Sequence, residues 1–291
     1  MTPARTRYIG ASEVAALFDA HPYMTHFQLW HIKAGNLQKP KFADTENSFW
    51  GDVLEPKIAE GFCRLYGFDL IELDRDQRFT VHPTIRQCCA NLDYKIRSHD
   101  TGAVRLLECK QSDFIQFRDT FPEGRVPLKY ELQLQQEMMC SGEARADLAV
   151  LVGGNTMHRY ERAPRPAIVQ IIAEAIEEFW QSIDAGMPPK PDYARDGANL
   201  AALIKMQDGT SKDFRGNNYL NNLCGEYLQW SKRESEAKKA KEAIRAELLD
   251  MTGKSVRGYT DGFEVSVSIV QEADISYTRK AYPNLTIKER K

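Results

Sequence analysis

Asn91-Leu92-Asp93-Tyr94 and Leu106-Leu107-Glu108-Cys109-Lys110 lie on either side of the segment Ser98-His99-Asp100-Thr101-Gly102. The Asp and Gly of that segment suit a chain reversal. The stretch therefore reads as a hairpin, with one strand over 85–97 and its partner over 103–110. Glu108 and Lys110 are two apart, so both project from the same face of their strand. The hairpin brings Asp93 beside them, and two carboxylates and an ammonium converge at one end of a sheet. Asp93 and Glu108 would offer hard oxygens to a divalent cation such as Mg²⁺, with the Cys109 backbone carbonyl as a third donor. Such a cation acidifies water and neutralises developing charge. Lys110 would orient or deprotonate that water, or stabilise a charged phosphate. The competing reading is an edge-strand ion pair, because Glu-x-Lys in a strand is a weak signal by itself.

Outward from the hairpin, Pro127 opens a helix to about Cys140 that carries Gln133 and Gln135. The apolar run 147–152 has the character of a buried strand, and 155–161 would pair with it. Strands are also expected over 68–73 and 77–81. Helices are expected over 13–18 with Ser12 as N-cap, over 25–34, and over 47–66 with Gly67 as C-cap. Trp50 in the last of these reads as a core residue. A further amphipathic helix over 168–183 stops at Met187-Pro188-Pro189-Lys190-Pro191. Residues 1–191 thus read as an α/β domain, a central mixed sheet flanked by helices.

Residues 192–218 read as a linker or loop, and 219–291 as an extension. The extension holds a long helix over 219–251 and a hairpin turning on Asp261-Gly262. Along that helix Leu223, Trp230, Ala237, Ile244 and Met251 recur every seventh residue, as do Leu220, Tyr227, Glu234, Lys241 and Leu248. Glu234 and Lys241 interrupt the apolar stripe, which favours a solvated helix packed at its two ends. The tail from Tyr277 to Lys291 is locally basic.

The chain has 291 residues, 42% hydrophobic and 27% charged, an ordinary globular composition. No uncharged apolar run approaches the roughly 18 residues of a membrane span. Glu13 interrupts the one early apolar stretch, which argues against a signal peptide. The six cysteines include no Cys-x-x-Cys pair, so zinc ribbons and thioredoxin-like chemistry lack support and buried free thiols are expected. The histidines show no His-Glu-x-x-His pattern. The net charge of −2 lacks the basic excess common in DNA-binding domains. Any DNA-binding surface would then have to be localised.

Four blocks in order resemble the phage lambda exonuclease / YqaJ viral recombinase family of the PD-(D/E)xK nuclease superfamily. They are Arg5 with Gly10-Ala11-Ser12-Glu13-Val14, Trp50-Gly51-Asp52-Val53-Leu54-Glu55-Pro56, Asp93 with Leu107-Glu108-Cys109-Lys110-Gln111, and Tyr130-Glu131-Leu132-Gln133-Leu134-Gln135. One departure is Asn91-Leu92, where the family often has Ser-Pro before its metal-binding Asp. The resemblance implies that Asp93, Glu108 and the Cys109 carbonyl hold Mg²⁺, two ions per site with Mn²⁺ as a substitute, and that Lys110 acts on the attacking water. It implies that Gln133 positions Lys110 or the scissile phosphate, and that Glu55 faces the same cleft as an outer ligand or as partner to a basic residue. Arg5 and Ser12 would hold a terminal 5′-phosphate, with Arg7 an alternative to Arg5.

The activity so implied is a 5′ to 3′ exodeoxyribonuclease that acts on double-stranded DNA ends and leaves 3′ single-stranded tails for recombination. The resemblance further implies a toroidal homotrimer, a single-strand annealing partner of RecT or Redβ type, and a phage- or prophage-encoded protein in the bacterial cytoplasm. The alternatives are another PD-(D/E)xK endonuclease or repair nuclease, and a non-catalytic DNA-end-binding scaffold. A RecB-like iron–sulfur nuclease is disfavoured, because only Cys224 follows Cys140.

Overall fold

The computed structural model describes residues 7–39, 46–204, 211–272 and 287. Among them the chain forms two compact units, 1–203 and 204–291. In chain order the first unit contains β1 (Ile9–Gly10), a 3₁₀ turn (Val14–Phe18), α1 (His26–Lys33), α2 (Glu46–Tyr66), β2 (Phe68–Ile71), α3 (Arg75–Arg78) and β3 (Phe79–Val81). It continues with β4 (Cys88–Asn91), β5 (Tyr94–Ser98), β6 (Val104–Ser112), α4 (Phe114–Thr120) and α5 (Leu128–Ser141). It ends with β7 (Ala146–Val152), β8 (Thr156–Arg162), α6 (Pro166–Asp184) and α7 (Gly197–Leu203).

The main sheet has the order β2-β5-β6-β7-β8. Only β6 and β7 pair in parallel, with Glu108 opposite Leu148 and Lys110 opposite Val150; the other neighbours are antiparallel. Both faces are covered, which suits the near-continuous apolar run of β7. On one face Ile58, Ala59 and Phe62 of α2 pack against Tyr94, Ile96, Leu107, Cys109 and Ala149. On the other, Leu132, Leu134 and Met138 of α5, with Ile172, Ile176 and Phe179 of α6, pack against Leu106, Leu148 and Val150. The expected mixed sheet flanked by helices is the fold observed.

A second small sheet, β1-β4-β3, stands beside the first. The strand expected over 85–97 is in fact two. It breaks at Leu92-Asp93, and β4 and β5 belong to different sheets. Leu92 is buried and donates its N–H to the Arg78 carbonyl instead of continuing a ladder. Buried Gln136 of α5 ties the small sheet down, donating to the carbonyls of Ile9 (2.9 Å) and Cys89 (2.8 Å). The strand expected over 77–81 begins only at Phe79. Before it, the Asp74/Gln77 capping box winds one helical turn.

The segment 192–203, read from the sequence as linker, lies in the first compact unit. Its Asp196 is fully buried, accepting hydrogen bonds from Thr25 Oγ1 (2.6 Å), Asn199 (2.8 Å) and the Asp192 N–H (2.9 Å). The second unit contains α8 (Asn218–Thr252) and an antiparallel pair, β9 (Arg257–Tyr259) and β10 (Glu264–Ser266). The basic tail lies outside the described residues apart from Ile287.

Candidate active site

Alternation along β6 places Leu106, Glu108 and Lys110 toward α5, and Leu107 and Cys109 toward α2; the two apolar clusters divide the leucines the same way. The β5 ladder ends at the Tyr94–Leu107 pair. Beyond it, Asp93 occupies the edge that β5 would have filled, and its Oδ2 accepts the Cys109 N–H at 3.0 Å. The N–H and C=O of one strand residue point to the same side. The Cys109 carbonyl is thus turned toward the edge where Asp93 sits.

Glu108 is buried. Its Oε1 accepts from the Lys110 ammonium and from Gln133 Nε2 at 2.6 Å, and Gln133 also donates to Glu137 Oε1 at 2.8 Å. Gln133 and Glu137 are four apart on α5 and share its face. Glu108 Oε2 is buried without a hydrogen-bond partner, a cost of about 1–3 kcal/mol for a polar atom so placed. These groups line a cleft of about 210 Å³ whose opposite wall is Gly10–Glu13 and Lys39. There Glu13 accepts from the Gly10 N–H (3.1 Å), from Lys33 (2.7 Å) and from Lys39 (2.9 Å).

The cleft holds more acid than base. Burial, and next the Glu108 carboxylate, push the Asp93 carboxyl up to about 7, against the pull of Lys110 and the Cys109 N–H. Burial, then Glu108 and Asp93, push Glu137 well above the carboxylate range. Burial alone would lower Lys110, but Glu108 and Asp93 outweigh it and hold the ammonium firmly protonated. Across the cleft, burial would raise Glu13, but Lys33 and Lys39 hold it down as a carboxylate.

The expected residues divide as follows. Asp93, Glu108, Lys110, Gln133 and Ser12 all line the cleft. Ser12 is not the expected helix cap: the 3₁₀ turn starts at Val14 with Glu13 as N-cap, and no side chain caps it. That turn is too short to build the helix-terminus anion site on which the Ser12 reading relied. Glu55 is not among the lining residues; it pairs with Arg78 at 3.5 Å. Burial, and then Asp93, raise its carboxyl. Arg5 lies outside the described residues, and Arg7 lines a separate cleft with Lys33 and Trp180. Trp50 is exposed rather than core, standing with Phe49 on the solvent side of α2. Gln135, two residues from Gln133, turns away. It donates to the Ala163 carbonyl and accepts the Arg165 N–H, bracing the start of α6.

Two charged lining residues, Glu137 and Lys39, were missed. Glu137 was legible as the i+4 neighbour of Gln133. Lys39 carries no local signal, because only the fold brings it across from Asp93.

Among the described residues no three His, Cys, Asp or Glu side chains gather into a metal-holding group. The oxygens available are two carboxylates, one with an orphaned buried oxygen, and a carbonyl turned to the same edge. Hard oxygens in this surplus of negative charge suit a divalent cation that keeps several waters.

Residues 2–144 match the model of the YqaJ-like viral recombinase domain. This stretch is similar to such domains. The chain is also similar to the uncharacterized protein YqaJ of Bacillus subtilis, 24% identical over 99% of this chain and 89% of that protein. Similarity to YqaJ runs past the matched stretch into the extension, for which the sequence motifs offered no counterpart. Among solved structures, LHK-Exo in complex with dAMP matches with a TM-score of 0.51 and 20% identity over 68% of this chain and 96% of that one. A second structure, the alkaline exonuclease LHK-Exo from Laribacter hongkongensis, matches with a TM-score of 0.49 and 21% identity. The first of these likenesses is one of fold.

Proposed function

We propose that the recombinase domain is a divalent-metal-dependent DNA exonuclease that shortens the 5′-ended strand of linear duplexes and leaves 3′ single-stranded tails. The observation that carries the reading is the buried meeting of Asp93, Glu108 and Lys110, with one Glu108 oxygen unpartnered. A structural ion pair has no use for such an oxygen, whereas a metal site does. The YqaJ-like domain and the exonuclease named among the structural likenesses support it.

Asp93, Glu108 and the Cys109 carbonyl would hold Mg²⁺, or Mn²⁺ in its place, with two ions per site. When bound, the metal supplies Lewis acidity and an acidified water. Gln133 fixes the Glu108 carboxylate from α5, so that its free oxygen keeps a defined direction. Lys110, held protonated, stabilises negative charge on the phosphate in flight and orients the attacking water through its hydrogen bonds. Lys39, tethered by Glu13 on the opposite wall, offers a second ammonium to a phosphate. Ser12 beside it offers a hydroxyl to a terminal 5′-phosphate, the role also proposed for Arg5. Glu55 acts through Arg78, with which it is paired. In the wider reading the active form is a toroidal homotrimer around DNA. It works with an annealing protein of RecT or Redβ type in a bacterial cytoplasm.

Purified protein with Mg²⁺ should degrade a linear duplex bearing 5′-phosphates faster than one bearing 5′-hydroxyls, and should spare covalently closed circles. EDTA should stop the reaction, and Lys110→Ala and Asp93→Ala should lack it. Cutting of closed circles would favour an endonuclease, and unchanged activity in both variants would overturn the site.

A further inference from the structure

Helix α8 is 35 residues long and has no buried residue. Leu223, Tyr227, Trp230, Ile244, Leu248 and Met251 are all exposed along it. A helix of that length spans about 52 Å, and most helical stability in proteins comes from burying one face rather than from propensity. The seven-residue recurrence names the face. With Leu220 at heptad position a, the a positions carry Leu220, Tyr227, Glu234, Lys241 and Leu248, and the d positions carry Leu223, Trp230, Ala237, Ile244 and Met251.

The polar middle of this stripe decides what can cover it. In a parallel pair identical residues meet, so Glu234 would face Glu234 and Lys241 would face Lys241 inside the seam. In an antiparallel pair each a position faces a d position, and one register uses every layer. Leu220 then meets Met251, Leu223 meets Leu248, Tyr227 meets Ile244, Glu234 meets Ala237, and Lys241 meets Trp230. Both like-charge layers vanish. An indole face attracts an ammonium, and this one already takes a cation in the single chain, with the Arg233 guanidinium 4.8 Å from the ring centre. Glu234 against the small Ala237 has room to reach water. A register one heptad away leaves the terminal leucine and methionine layers unpaired. The cost of the full register is an approach between Glu226 and Glu247 beside the seam.

We propose that α8 docks on α8 of a second copy of this chain as an antiparallel two-stranded coiled coil in this one register. The pairing joins two chains, or two rings of chains, through the extension, and it does not depend on the nuclease reading.

Light scattering on the full-length protein reads the first consequence. Tyr227→Glu with Ile244→Glu should halve the particle mass while the thermal unfolding of the first unit stays unchanged; an unchanged mass would overturn the pairing. Cross-linking reads the register. In a Cys224→Ser background, chains carrying Leu220→Cys are mixed with chains carrying Met251→Cys and mildly oxidised. Disulfides should join unlike chains, and Leu220→Cys chains joined to each other would overturn the antiparallel arrangement. Glu247→Lys, which turns the one repulsive approach into an attraction, should tighten the dimer, and a weaker dimer would count against the register.

Discussion

In the first unit Glu108, Glu137, Asp147 and Asp196 are at most 2% exposed, while in the second Trp230, Ile244 and Met251 are between 59% and 78% exposed. One region hides charge and the other displays hydrocarbon, both against the usual preference. The two kinds of buried acid are also unlike each other. Asp147 is met by Arg105 (3.2 Å) and Arg159 (2.7 Å), and Asp196 by three donors. These acids hold the fold together and are fully served. Glu108 and Glu137 share Lys110 and Gln133 between them, Asp93 has the Cys109 N–H, and one oxygen of Glu108 goes without. A buried acid with its partners present is architecture, and a buried group of acids short of positive charge is a place for something that binds. The exposed stripe of α8 is the apolar counterpart of that shortage.

The largest effect should come from the acids short of partners. Lys110→Ala should lower DNA hydrolysis by at least about 100-fold, the scale of a positioned acid–base group, in a gel assay on linear duplex. Retained activity would move Lys110 into the same structural class as Arg159.

Next comes the proton that stands in for the missing charge. Asp93 has a folded value near 7, well above its ordinary one. Its contribution to stability without metal is therefore full below about pH 4, where the unfolded carboxyl also holds a proton. That contribution is lost as pH rises through 7. A divalent cation competes with this proton, so the rise in melting temperature on adding Mg²⁺ should be larger at pH 8 than at pH 6. Asp93→Asn should raise the melting temperature of the metal-free protein at pH 8 and abolish the Mg²⁺ response. An equal Mg²⁺ response at both pH values would break the distinction between the two kinds of buried acid.

For the well-served acids the expected loss is of stability. Asp196→Ala strips acceptors from Thr25, Asn199 and the Asp192 N–H, and should cost about 2–3 kcal/mol in urea unfolding. The turnover of the folded fraction should stay unchanged. Smallest of all, Leu223→Ala on α8 should shift the unfolding of the first unit by no more than about 0.5 kcal/mol. A larger shift would show that the two regions are not energetically separate.

Much of the site was legible because strand alternation is local. Two residues apart on β6 already puts Glu108 and Lys110 on one face, and four apart on α5 puts Gln133 and Glu137 on another. Gly67 as the left-handed stop of α2 followed from backbone chemistry in the same way, whereas Thr25, expected as the first residue of α1, is its cap. Asp93 was found for a reason only partly right. It was expected on a strand beside Glu108, but it sits in a break between two sheets. The break depends on Leu92 preferring the core and the Arg78 carbonyl to another rung of ladder. Ser12 misled because a serine ahead of an apolar run resembles a cap whether the chain makes an α-helix or a short 3₁₀ turn. Trp50 misled because aromatic residues favour burial on average, while the side of α2 that faces the sheet is taken by Ile58, Ala59 and Phe62.

By itself, then, the sequence determined the strand and helix periods, the faces of β6 and α5, and the heptad stripe of α8. These depend on residues within one or two turns of each other. The tertiary structure alone decided that the Gly10–Glu13 wall and Lys39 stand across from Asp93, that Glu55 turns to Arg78, and that one oxygen of Glu108 is left without a partner. The physical reason is that burial and Coulomb interactions act through space. How far a carboxyl is desolvated, and which charges lie within a few ångströms of it, is set only when segments distant along the chain have packed.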